Sequence, residues 1–435
     1  MTNRFFFNSF LLLLILFFAG TVIQVFMTYA SFFSEWAWAV TCIIAIIQIL
    51  YFFKKSIPVV IMLSFFLPYL FIPKFFFVDG SLISYHFDYQ SPVIFNKVAI
   101  LNSIFLIFLF IGIGRLQTRN TALNLVSILQ SKYLFYPIFL VCVYIIFFGI
   151  QGETILESGY GKADVQKGTL HEYFIAFFVL LVLTANKLSF FERNIIFYLF
   201  IFYVFKTLLY GGRIEVVIIG LAYLYLFKNF LEGRQLMALL SAFLVYFVMD
   251  LIGHIRTNPE LVLAILNLDF SNFFISSSLK PSIVSNQFGD VYQSSLRIVG
   301  LYDQNLIEPW VGLKSFFLVV IGFAPSSIMP DYYNLAAYLK NISTSGGGGL
   351  ISAFSYVWLG YFGPVLFGLF IGYSIRMLYT SSNTLVVIYG FMVLIFFPRW
   401  FAYYPIVLFK ISLFVLIIAS VIFFIKKHYG RKKFV

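Results

Sequence analysis

The chain alternates long apolar runs with short polar joints. The runs have the length that a helix of ~20 apolar residues needs to cross ~30 Å of hydrocarbon. The pattern predicts twelve spans, at 5–29, 36–53, 57–73, 93–113, 133–150, 172–186, 194–210, 214–227, 236–252, 353–373, 383–398 and 402–424. One stretch breaks the rhythm. From Gly253 to Ser352 about a hundred residues separate the ninth span from the tenth, far more than the usual loop. Its aromatic content predicts short helices rather than disorder. Asn258 and Pro259 cap and open one. Lys314 to Ala324 is apolar but too short to span, which predicts an interfacial or re-entrant segment, and Asp331 to Leu339 forms another short helix. No internal repeat is visible, so the whole chain, 1–435, reads as a single integral membrane domain with a large outer loop at 253–352.

Composition agrees with the pattern. Hydrophobic residues make up 62% of the chain and charged residues 11%, outside the range of a soluble domain of this size. The net charge of +12 would suit a nucleic-acid binder, but its placement suits a membrane better. Arg4, Lys54, Lys55, Arg115, Arg119, Lys132, Lys187, Arg193, Lys228, Arg234, Arg376, Lys426, Lys427, Arg431, Lys432 and Lys433 all fall in alternate joints, accompanied there only by Glu192 and Glu232. That side reads as the cytoplasm, with both termini on it. The first apolar run follows Arg4 and is too long for a cleaved signal, so it reads as a retained anchor. Cys42 and Cys142 lie inside apolar runs and predict neither a disulfide nor a metal site.

The chemistry is expected on the other face. Arg213, in Tyr210-Gly211-Gly212-Arg213, occupies a very tight turn between two spans. Arg256 follows the ninth span, with Asp250 and His254 just before it. Arg399, in Pro398-Arg399-Trp400, stands between the last two spans. Any one of these arginines can simply reach for headgroups. As a set they stand where the topology rule disfavours bases, and they suit an anion at the membrane boundary, because arginine grips phosphate oxygens bidentately. Glycine at 211 and 212 lets a ligand approach the backbone. His254 is the candidate general base. Asp250 and Glu215 balance Arg256 and Arg213 or join the site. Lys97, Lys206 and Lys410 fall inside spans, where charge is costly; Lys97 and Lys206 lie near outer ends and Lys410 deeper. No carboxylate cluster with metal spacing exists, so no metal and no cofactor are expected.

Three motifs carry a resemblance. Ser345-Gly346-Gly347-Gly348-Gly349 followed by Ser355-Tyr356-Val357-Trp358-Leu359-Gly360-Tyr361-Phe362-Gly363 resembles the end of the large periplasmic loop in oligosaccharide repeat-unit polymerases, the O-antigen polymerase (Wzy) family. Tyr210-Gly211-Gly212-Arg213 resembles that family's glycine–arginine turn, and Pro398-Arg399-Trp400 the arginine of its last outer turn. An acidic residue often precedes the tyrosine there, whereas this chain has Phe354 and Ser355. The resemblance implies an all-α polytopic membrane protein of about 12 transmembrane helices with a GT-C-like glycosyltransferase architecture, in the bacterial inner membrane. It implies a metal-independent, inverting transferase that moves the growing glycan from undecaprenyl pyrophosphate to a new lipid-linked repeat unit, with a chain-length regulator as a further partner. Arg213, Arg256 and Arg399 would hold the pyrophosphate and His254 would act at the acceptor. Tyr210, Gly212, Asp250, Tyr356 and Lys206 would line the substrate. An O-antigen ligase and a lipid-linked oligosaccharide flippase are the alternatives.

Overall fold

The computed structural model describes residues 34–73, 92–116, 125, 128–152, 165–167, 169–185, 190–227, 282–321, 335 and 348–430. The first predicted span, the ninth, the segment Asn258 to Leu266, most of Asp331 to Leu339 and the end of the basic tail from 431 lie outside these residues.

Helices dominate. In chain order they are α1 (Ser34–Phe52), α2 (Ile57–Phe71), α3 (Pro92–Ile113) and α4 (Lys132–Phe148). A two-stranded antiparallel ladder follows, β1 (Ile150–Gly152) with β2 (Val165–Lys167), so the described part is not purely helical. A 3₁₀ turn at Thr169–Tyr173 leads into α5 (Phe174–Thr184), and then come α6 (Phe190–Leu209) and α7 (Arg213–Leu226). Within the long insert lie α8 (Ser282–Asp303) and α9 (Pro309–Ile321). The chain ends with α10 (Ile351–Leu359), α11 (Phe362–Thr380), α12 (Thr384–Ile395), the short α13 (Phe397–Ala402), a 3₁₀ turn at Pro405–Leu408 and α14 (Lys410–Gly430).

Among the described residues three helical segments are long and apolar enough to cross a membrane: Pro92–Ile113, Phe362–Thr380 and Pro405–Ile425. Shorter apolar helices accompany them, at Trp36–Phe52, Ile57–Phe71, Tyr133–Phe148, Leu170–Thr184, Pro309–Ile321 and Thr384–Ile395. Their outward faces are greasy: Leu50, Leu140, Phe202 and Phe424 are each more than 60% exposed. Such a surface is compatible with lipid and ill-suited to water. Cys42 and Cys142 are buried in α1 and α4 and form no disulfide.

The tightest helix pair is α3 with α11. Gly112, Gly368 and Gly372 stand at the contact, where an added Cβ on Gly368 would meet Phe105 O at 2.7 Å and one on Gly112 would meet Leu369 O at 2.7 Å. Small residues let the two backbones touch, the usual way membrane helices gain packing where no hydrophobic effect separates helix from lipid. The pair is parallel, since Phe105 lies by Gly368 and Gly114 by Arg376. α1 runs alongside α3 in the same sense: Thr41 Oγ1 donates to Ala99 O at 2.8 Å, and Gln48 Nε2 to Leu106 O at 2.8 Å. Lys55, Arg115 and Arg376 therefore share one end of the bundle. The contact of Ser56 Oγ with Tyr379 Oη at 2.8 Å and the reach of Tyr225 Oη to Pro58 O at 3.4 Å bring α2, α7 and α11 together there as well.

The stretch 353–373, expected as one span, is two helices. Gly360, at φ 62 and ψ −151, reverses the chain between α10 and α11. This backbone region is essentially closed to residues with a Cβ. α10 runs opposite to α3, because Tyr356 lies by Lys97 while Ser352 bonds Asn102. It starts near the middle of α3 and climbs toward that helix's first turn before α11 turns back. Its first turn is sealed in protein, with Leu350 to Phe354 all fully buried. That is the condition under which a backbone start is tolerated at such depth.

The insert is also more than a cover. α8 has 22 residues, as many as α3, rather than being short. Tyr69 meets Phe288 edge-on at 4.5 Å and Phe95 lies 5.2 Å from Tyr292, while Leu350 N donates to Ser295 Oγ at 2.8 Å. α8 is thus wedged among α2, α3 and α10. α9 begins at Pro309, where a missing N–H costs nothing, and packs on α10 through Gly312, while Trp358 Nε1 donates to Ser315 Oγ at 3.2 Å.

Candidate functional site

The turn between α6 and α7 is built by its glycines. Gly211 sits at φ 74, Gly212 N donates to Thr207 O at 2.8 Å and Gly211 N to Leu208 O at 2.9 Å. These are the two bonds of a Schellman closure, which favours glycine at the left-handed position. Gly212 then caps α7, with Arg213 first and Glu215 third in the helix. The space above Gly212 is filled by protein: an added Cβ would meet Thr207 Cγ2 at 2.5 Å and Glu215 Oε2 at 3.2 Å. The expectation that this glycine clears room for a ligand is therefore corrected. It clears room for Thr207 and the Glu215 carboxylate.

That carboxylate reaches across to α13. Arg399 Nη2 lies 2.6 Å from Glu215 Oε1, with Glu215 buried and the guanidinium 28% exposed. Glu215 thus balances Arg399, two residues along from Arg213, rather than serving Arg213 alone. Burial pulls the Arg399 pKa down, and Glu215, with Glu172 and Tyr403 behind it, more than offsets this, holding it above the ordinary arginine value. α13 itself is anchored by a buried aromatic block. Phe401 stacks on Phe66 at 3.7 Å, and Trp400 is fully buried with Nε1 donating to Val393 O at 2.8 Å. Arg399 therefore projects from a rigid turn.

Behind the pair lies a patch that the sequence reading passed over. Tyr203 is buried with its ring stacked on Phe174 at 3.8 Å and on His171 at 5.3 Å. Its hydroxyl, and that of Thr207 one turn later, are buried polar atoms without a hydrogen bond in the described residues. The visible signal was a tyrosine and a threonine four apart on α6, ending on the Gly-Gly turn.

The other expected site residues are placed as follows. Lys206 Nζ donates to Ile146 O at 2.5 Å and Phe147 O at 2.9 Å, closing the carbonyl end of α4, a favourable position for a cation. The Tyr210 ring lies 6.0 Å from that ammonium. Tyr356 stands at the far end of α10, its hydroxyl donating to Asp303 Oδ1 at 2.9 Å. Lys410 opens α14, inside the segment Pro405–Ile425, with its ammonium 5.7 Å from the Tyr173 ring. Arg256, His254 and Asp250 lie outside the described residues.

The fold and this turn define a bundle of apolar helices with a charge pair, Arg399 with Glu215, at the turn between α6 and α7. Comparison of the chain with family models, with curated proteins and with solved structures finds no match.

Proposed function

We propose that the chain is a membrane glycosyltransferase that uses a lipid diphosphate as donor, an oligosaccharide repeat-unit polymerase working at the outer face of the bacterial cytoplasmic membrane with both termini inside. The observation that carries this reading is the placement of Arg399 against the first turn of α7, two residues from Arg213. Two segments far apart in sequence, one carrying Arg213 and the other Arg399, thus come to one turn through Glu215. In this reading the meeting of α7 with α13 faces a diphosphate at the headgroup boundary.

In the reaction the acceptor hydroxyl attacks the anomeric carbon and gives its proton to a base, for which His254 is the candidate, while the bond from that carbon to the phosphate oxygen breaks and the diphosphate leaves with the electron pair. Arg399 and Arg213 stabilise the charge that collects there, commonly the largest catalytic contribution. Glu215 competes for Arg399 until the diphosphate arrives. A ligase would share this donor chemistry and differ in acceptor. A flippase needs a row of cations along a path, whereas Lys97, Lys206 and Lys410 are each held by the protein's own groups.

Reconstitution decides among these. The purified chain in liposomes with undecaprenyl-diphosphate repeat units is expected to give products of several repeats with no other protein added. Movement of the lipid between leaflets without chain growth would contradict the proposal.

A further inference from the structure

A second polar cluster stands apart from the arginine turn, at the opposite end of α10. Lys97 Nζ, in the second turn of α3, lies 2.7 Å from each oxygen of Asp303 at the end of α8. The Tyr356 hydroxyl donates to Asp303 Oδ1 at 2.9 Å. The ammonium sits 4.7 Å from the Tyr356 ring centre and 5.4 Å from that of Tyr361. Tyr302 meets Tyr356 edge-on at 5.3 Å. Four segments thus deliver one carboxylate, one ammonium and three phenols to one place.

As a strap this arrangement is poor value. Lys97 and Asp303 remain 19% and 29% exposed, and a pair this accessible adds little to helix docking. α8 is already held by buried Phe288, Tyr292, Ile298 and Val299. As a binding surface the arrangement is coherent. Among the described residues Asp303 Oδ2 has a single partner, Lys97, so it retains accepting capacity for a hydroxyl, and charged acceptors make the stronger hydrogen bonds. Tyr302 and Tyr361 are half-buried, leaving part of each ring available to sugar C–H groups. Further in, on the same α3–α10 seam, Asn102 accepts from Ser352 Oγ while its own Nδ2 is buried with no partner among the described residues, an orphan donor of the kind that demands a reason.

We propose that Asp303, oriented by Lys97 and Tyr356 and flanked by Tyr302 and Tyr361, is a carbohydrate subsite that holds the accepting glycan. The proposal rests on the transferase reading for the word "accepting", but the sugar-binding claim is tested without it. α10 separates this cluster from the arginine turn: Gly349 N donates to Tyr403 O at 2.9 Å at one end of the helix, and Tyr356 meets Asp303 toward the other. Its 9 residues span roughly 14 Å, room for a glycan to lie between donor and acceptor groups.

The test uses the full chain in nanodiscs and, as probe, the free oligosaccharide of one repeat released by mild acid from the host's lipid-linked pool. It carries neither lipid nor diphosphate. Asp303→Asn and Tyr361→Ala are each expected to weaken binding at least tenfold, with the melting temperature of Asp303→Asn held within a few degrees of wild type. The swapped pair, Lys97→Asp with Asp303→Lys, is expected to stay as weak, because a sugar needs the carboxylate where it is. Binding unchanged in Asp303→Asn, no binding by the wild type, or full recovery in the swapped pair would overturn the subsite; the last would make the pair a strap. Oligosaccharide binding that depends on Asp303 in a chain that shows no transfer would sink the transferase and leave the subsite standing. Transfer whose acceptor KM ignores Asp303→Asn would do the reverse.

Discussion

Arg399→Ala is expected to abolish chain growth, with transfer down by about 10²–10³, the loss seen when one preorganised stabilising group is removed from a transition state. The variant also takes the Arg399 cation from the buried Glu215, which costs roughly 3 kcal/mol, the low end for breaking a buried pair because this guanidinium is part-exposed. Activity loss and destabilisation would then be confounded. The double variant Arg399→Gln with Glu215→Gln separates them. Removing both charges leaves no carboxylate deprived of the Arg399 charge, so the melting temperature should return close to wild type while activity stays lost. Arg399→Lys should recover little activity, because an ammonium cannot offer two parallel bonds to a diphosphate. Recovery of transfer along with stability in the double variant would reduce Arg399 to a structural role.

The second large effect is on folding. At Gly372 an added Cβ would run into Leu109 O and meet Ile113 N at 2.8 Å and Gly112 Cα at 2.9 Å, all on α3. Backbone cannot rotate away as a side chain can, so α3 and α11 must separate. Gly372→Ala should cost about 1–3 kcal/mol, and Gly372→Leu should leave little folded protein in the membrane. Gly220→Ala is the matched comparison. It is also a helical glycine, but nothing lies within 4 Å of its added Cβ, so the better helix former should leave stability unchanged or raise it by up to about 1 kcal/mol. Thermal unfolding in detergent, read by size-exclusion recovery, checks both. Equal behaviour of the two alanine variants would contradict the close approach of α3 and α11.

These elements differ in how far the sequence exposes them. The apolar runs at 36–53, 57–73 and 93–113 announce α1, α2 and α3 because burial in hydrocarbon and burial in protein both ask for the same side chains. The Gly211-Gly212 turn is legible because two short-range backbone bonds make it. The break at Gly360 is hidden, since apolar residues continue on both sides and one glycine's backbone angles alone divide α10 from α11. α8 is hidden for a different reason. Gln293, Ser294 and Ser295 are buried, so its composition looks like a surface loop while its environment is the bundle interior. The pairing of Arg399 with Glu215 joins residues 184 apart, and nothing local in either segment encodes it. Lys97 with Asp303, 206 apart, is hidden in the same way.

The central claim is that Arg213 and Arg399 converge on a diphosphate for which Glu215 holds the place. It is tested most directly by titrating undecaprenyl diphosphate, with no sugar attached, into the purified chain in nanodiscs. Arg213→Gln and Arg399→Gln are each predicted to weaken binding at least tenfold, whereas Glu215→Gln, which frees the Arg399 guanidinium, is predicted to tighten it. Equal affinity in all of these variants, or weaker binding in Glu215→Gln, would contradict the account.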